Sequence, residues 1–90
     1  MLIGKGRLMK ISMLEQRVRV VIARTFLLSE ETAAGDVRMG NPPAWDSLGH
    51  MGLVAALEQE FDVRFPGHVL PELVSVPTIM DALNTQLVTP

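Results

Sequence analysis

Ala44-Trp45-Asp46-Ser47-Leu48-Gly49-His50-Met51, arriving directly after Pro42-Pro43, is the stretch from which the fold can be read. Two successive prolines stop any regular element before residue 44. From Leu48 onward, apolar residues recur at helical spacing through Met51, Val54, Ala55, Leu57 and Phe61. Asp46 stands where an N-cap side chain would accept a backbone N–H bond, so a helix is predicted over residues 47–61 with Ser47 at its start. Those six apolar residues are its expected inward face. A hydroxyl at a loop-to-helix junction is placed for chemistry more than for packing.

Upstream, residues 29–44 read as a long loop, interrupted by Gly35, Gly40, Asn41, Pro42 and Pro43. Loops of this length in small domains are generally functional or pinned by their own side chains, and Val37 or Met39 is the expected pin. Before the loop, Leu14, Val18, Val21, Ile22 and Phe26 fall at helical spacing, and Ser12 with Glu15 has capping-box spacing, which predicts a helix over residues 13–28. Residues 1–12 carry two glycines and no periodicity and read as a flexible extension ahead of a domain at 13–88. Downstream, Pro71 restricts residues 70–73 to a short turn. Ser75 can cap a last helix with Pro77 in its first turn and Ile79, Met80, Leu83 and Leu87 inward. The expected fold is all-α: a small four-helix bundle with three main helices and one short one.

Bulk composition narrows the function classes. The chain has 90 residues, a net charge of -2 and 48% hydrophobic residues, with a mean hydropathy of +0.27. Between Asp46 and Arg64 there is no Lys or Arg, so the central helix is no DNA-recognition element and no nucleic-acid partner is expected. No apolar run reaches the ~20 residues of a membrane span, so no membrane partner is expected and a cytoplasmic location is the default. With no cysteine, the chain has no thiol chemistry of its own.

Asp46, Ser47 and His50 supply the residue types of a hydrolytic triad. Adjacent helix positions diverge by about 100°, however, and the acid would have to hold the far nitrogen of the imidazole, so the spacing argues against self-contained catalysis and the chain is not expected to be an enzyme. Ser47 is better read as a site acted upon: a phosphate attached there would sit at a helix N-terminus, where free N–H groups favour negative charge.

Asp46-Ser47-Leu48, then Leu53-Val54-Ala55-Ala56-Leu57-Glu58-Gln59-Glu60-Phe61, Phe65-Pro66 and Ser75-Val76, resembles the acyl carrier proteins over residues 13–88. The resemblance implies that a phosphopantetheinyl transferase, using coenzyme A, attaches 4'-phosphopantetheine to Ser47, flanked by Asp46 and Leu48. The thiol of the arm then carries an acyl group as a thioester between partner enzymes such as an acyl or aryl ligase, an acyltransferase or a ketosynthase, in fatty-acid, polyketide or specialised metabolism. Where fatty-acid carriers have Gly-Ala or Gly-Met before Asp-Ser-Leu, this chain has Ala44-Trp45, and Gly49, His50 and Gly52 replace an acidic first turn. The Trp-Asp-Ser-Leu form looks more like stand-alone carriers of specialised pathways. Peptidyl or aryl carriage and an unmodified helical adaptor are the alternatives, and a monomer visiting many partners suits the carrier role.

Partner contacts are expected at Trp45, Gly49, His50, Gly52 and Glu58. Each has a plainer reading. Trp45 could cover the loop's apolar contacts, and His50 could be an ordinary surface histidine. Gly49 and Gly52 could be two tolerated helix glycines, and Glu58, Glu60 and Asp62 a solvated helix end. Asp46 and His50 make too few ligands for a metal site. Met39, Met51 and Met80 read as core filler.

Overall fold

Three apolar stripes at helical spacing become the three long helices of the domain. The computed structural model describes the backbone of residues 2–88 and the side chains of residues 13–86. Helix α1 spans Leu2–Phe26, α2 Glu30–Ala33, α3 Ser47–Phe61 and α4 Val76–Val88, with a 3-10 helix at Gly67–Glu72 between α3 and α4. Among the described residues there is no strand, only isolated bridges from Arg38 to Asn41 and to Ser75. The fold is a small all-α bundle in which α1 packs against α3, α4 and α2.

Helix α1 starts well before the expected residue 13, and Ser12 and Glu15 lie within it rather than capping it. Once a helix is nucleated, each further residue adds a hydrogen bond. Gly4 and Gly6, among straight-chain helix formers, weaken the run without ending it. The side chains of residues 1–12, and that of Leu87, lie outside those described. At its other end α1 stops at Phe26: Leu27 takes a left-handed conformation, φ 56°, and Leu28 N donates back to Ala23 O at 2.9 Å.

The region expected to be loop contains α2, a single turn capped by Ser29, whose Oγ accepts from Thr32 N at 3.1 Å. Arg19 fastens it to α1: one guanidinium nitrogen donates to Ala33 O and Gly35 O, both at 2.8 Å. A four-residue helix with one buried residue, Ala33, leaves no periodicity to detect. Beyond it Val37 turns inward as the pin, with Met39 partly buried.

Val18, Ile22, Trp45, Leu53, Leu57, Leu73, Ile79 and Leu83 are the largest fully buried side chains. In α3 the observed inward stripe is His50, Leu53, Val54, Leu57 and Phe61, which corrects the expected face. Leu48 and Met51 point to solvent, 83% and 54% exposed, and Ala55 is exposed as well. Helix α4 begins as expected. Ser75 N donates to Thr78 Oγ1 at 3.1 Å, and Ser75 Oγ accepts from Thr78 N at 3.4 Å.

Candidate functional site

The junction before Ser47 is held by its own backbone. Arg38 and Asn41 exchange N–H···O bonds of 2.9 and 2.8 Å, Met39 N donates to Val74 O, Gly40 N to Trp45 O at 2.8 Å, and Trp45 N to Pro42 O at 2.9 Å. Asn41 Nδ2 adds a bond to Asp36 O at 2.7 Å. Gly40 takes φ 94°, which favours glycine, and the Asn41–Pro42 peptide is cis. Together these hydrogen bonds hold the backbone that leads to residue 45.

Asp46 caps α3 as expected, its Oδ1 accepting from Gly49 N at 2.8 Å. The first intrahelical bond runs from His50 N to Asp46 O at 2.7 Å. The N–H groups of Ser47 and Leu48 bond to no described residue at the helix start. The Ser47 side chain is exposed and hydrogen-bonds to no described residue. Among the described residues Ser47 thus presents an unbonded hydroxyl beside two unpaired N–H donors, and the exposed Leu48 adjoins it.

Trp45 and His50 are not surface residues, which corrects the expectation that they meet a partner. Trp45 is 0% exposed and His50 5%. Trp45 Nε1–H donates to His50 Nδ1 at 3.0 Å, and His50 Nε2 lies 2.8 Å from Leu70 O. An indole N–H only donates and a carbonyl only accepts, so the ring is neutral with its proton on Nε2. Phe26 stacks on the indole, with ring centroids 5.6 Å apart. Both imidazole nitrogens are therefore engaged away from Ser47, and His50 is not available to it as a base. Trp45 is likewise not exposed as an anchor for a docking partner.

Gly49 also has an internal reason. A Cβ there would overlap the Ala44 carbonyl oxygen and lie 3.0 Å from Phe26 Cε1. The missing side chain lets the loop before Ser47 lie against the first turn of α3. Gly52 differs: it is exposed, and an added Cβ would meet nothing within 4 Å. Glu58, expected at a partner interface, is used internally, since its Oε2 accepts from Phe65 N at 2.9 Å. Glu60 pairs with Arg17 at 3.2 Å, whose guanidinium lies 4.5 Å from the centre of the Phe61 ring. Of the expected partner contacts, Gly52 alone stays fully open, joined on the same face by Leu48, Met51 and Ala55, which sequence reading had turned inward.

Among the described residues no group of three or more His, Asp or Glu is placed to hold a metal ion, and no helix is long and apolar enough to cross a membrane. A groove of 360 Å³ opens between the 3-10 helix and α4, lined by Phe65, Val69, Leu73 and Ala82 among others, with Ser47 outside it. No protein-family model matches the chain.

Proposed function

We propose that this chain is a non-enzymatic carrier protein, active once Ser47 has been converted to a phosphodiester of 4'-phosphopantetheine. The observation that carries the reading is the Ser47 hydroxyl itself: exposed, without a partner among the described residues, and fixed at the first position of a helix whose N–H groups at residues 47 and 48 bond to none of them either. A phosphate needs such donors and the positive end of the helix dipole, and it needs no base within the carrier. Ser47 Oγ attacks the phosphorus that bears the pantetheine arm of coenzyme A. The Oγ–P bond forms, the bond to the adenosine bisphosphate portion breaks, and the hydroxyl proton leaves to a base of the transferase.

The arm supplies a terminal thiol, absent from a chain with no cysteine, on which an acyl group travels as a thioester. Asp46 keeps the helix start formed, Gly49 lets the loop close on it, and Leu48 borders the attachment point. The uncharged exposed face of α3 and the Trp-Asp-Ser-Leu resemblance favour ligases or transferases of specialised acyl, aryl or aminoacyl metabolism as partners.

Intact mass after incubation with a phosphopantetheinyl transferase and coenzyme A tests the reading. Wild type is expected to gain one phosphopantetheine. Ser47→Ala is expected to gain none while melting at the wild-type temperature, because the hydroxyl supports no contact. A wild-type chain that gains no mass defeats the proposal. Comparing adenylated acids with acyl-coenzyme A donors on the loaded protein then separates aryl or peptidyl carriage from acyl carriage.

A further inference from the structure

An imidazole fills the one polar position of the buried α3 stripe, where leucine or phenylalanine would pack without polar demand. Its bonds reach two segments outside the helix. Trp45 belongs to the loop that delivers Ser47, and Leu70 belongs to the 3-10 helix, which contributes no fully buried side chain of its own. The Trp45–His50 bond closes residues 45–50 into a ring that contains Ser47. Stacking of Phe26 on the indole fixes that ring to the end of α1.

We infer that His50 is a positioning residue for group transfer at Ser47, an inference that rests on reading Ser47 as the attachment serine. The Asp46 cap by itself secures the helix start. It does not fix how that start sits against the loop before it and the 3-10 helix, and this placement decides how Ser47 is offered to an enzyme that grips those segments. The Trp45–His50–Leu70 chain fixes it by tying loop, first turn and 3-10 helix into one unit. Removing the imidazole leaves the buried Trp45 Nε1–H without its acceptor and Leu70 O with only the 3.3 Å bond from Leu73 N, and the tie between the two segments is lost. A displacement of the reacting hydroxyl by about 1 Å is enough to slow transfer by up to about a hundredfold.

Two measurements on the full chain test this. On the unmodified protein, nitrogen-15 NMR of the imidazole is expected to show a neutral ring protonated at Nε2, with hydrogen exchange at the Trp45 indole and at residues 67–73 accelerating in His50→Leu. Loading kinetics with a phosphopantetheinyl transferase and coenzyme A then compare wild type, His50→Leu, His50→Gln and Trp45→Phe at a temperature where circular dichroism shows them folded. His50→Leu is expected to lose roughly ten- to a hundredfold in kcat/KM, with most of the loss in kcat. His50→Gln, which offers an acceptor and a donor in one amide, is expected to recover most of the loss, a rescue that a residue serving stability alone would not give at a temperature where every variant is folded. Trp45→Phe keeps a ring in the stack and removes only the donor, and it decides the matter if His50→Leu does not fold. Folded His50→Leu or Trp45→Phe loading at the wild-type rate overturns the inference, as does a ring protonated at Nδ1. A wild type that takes no phosphopantetheine removes the attachment reading and the positioning role together, whereas normal wild-type loading alongside an equally fast His50→Leu removes the positioning role alone.

Discussion

Gly49 and Gly52 lie three residues apart in α3, and adding one methyl group to each should move stability in opposite directions. At Gly52 the new Cβ meets nothing within 4 Å and the site is exposed, so only intrinsic propensity changes. Alanine in a helix interior is favoured over glycine by about 1 kcal/mol. In a domain of this size that raises Tm by roughly 4–8 °C. At Gly49 the same gain is opposed by overlap with the Ala44 carbonyl oxygen and by a 3.0 Å approach to Phe26 Cε1. Overpacking costs about 1–3 kcal/mol. The upper end applies here, because the obstructing atom is backbone and its neighbour Trp45 is held by His50 and Phe26. The expected net loss for Gly49→Ala is about 2 kcal/mol, roughly 8–16 °C in Tm. Thermal melts by circular dichroism, with urea titrations to confirm that the transition stays two-state, measure both. A Gly49→Ala variant melting at or above wild type would refute the claim that this glycine exists for close approach.

Leu27 sits in the left-handed region and is 91% exposed, so Leu27→Gly removes about 1–2 kcal/mol of backbone strain. Part of that is offset by glycine's unfolded-state entropy, and a Tm rise of a few degrees is expected; a fall would show that the leucine makes a contact worth more than the strain. Arg19→Ala should cost about 1–2 kcal/mol by releasing the carbonyls of Ala33 and Gly35, seen as faster amide exchange across α2. Arg19→Lys should restore only part of this, because an ammonium lacks the planar fork that holds two carbonyls and Glu15 together; full restoration would mean that charge alone matters.

Why some features were legible in sequence and others were not follows from how each is encoded. The limits of α3, the Asp46 cap and the Ser75 start of α4 are written in local chemistry, and each stands where that chemistry puts it. The inward face of α3 was misread because hydrophobicity was the only signal followed. Leu48, Met51, Val54 and Ala55 make a plausible stripe, yet the true one passes through His50, which is apolar in behaviour only because Trp45 and Leu70 satisfy both its nitrogens. A partner twenty residues away leaves no mark on local periodicity. The role of Gly49 was hidden for a related reason, since it depends on where the loop carbonyl of Ala44 comes to lie. Helix α2 was hidden by its brevity, although Ser29 ahead of Glu30 and Glu31 is a capping signal that could have revealed it.

Trp45 is the sole tryptophan of a chain without tyrosine. Its indole is wholly buried, bonded to an imidazole and stacked on a phenyl ring two residues from the hydroxyl of interest. The protein therefore carries its own fluorophore at the place where an observer would choose to put one. Emission excited at the indole band reports the state of that junction without a label, so the attachment proposed at Ser47 can be looked for, and loosening of the 3-10 helix followed in real time, on the native chain, by light alone.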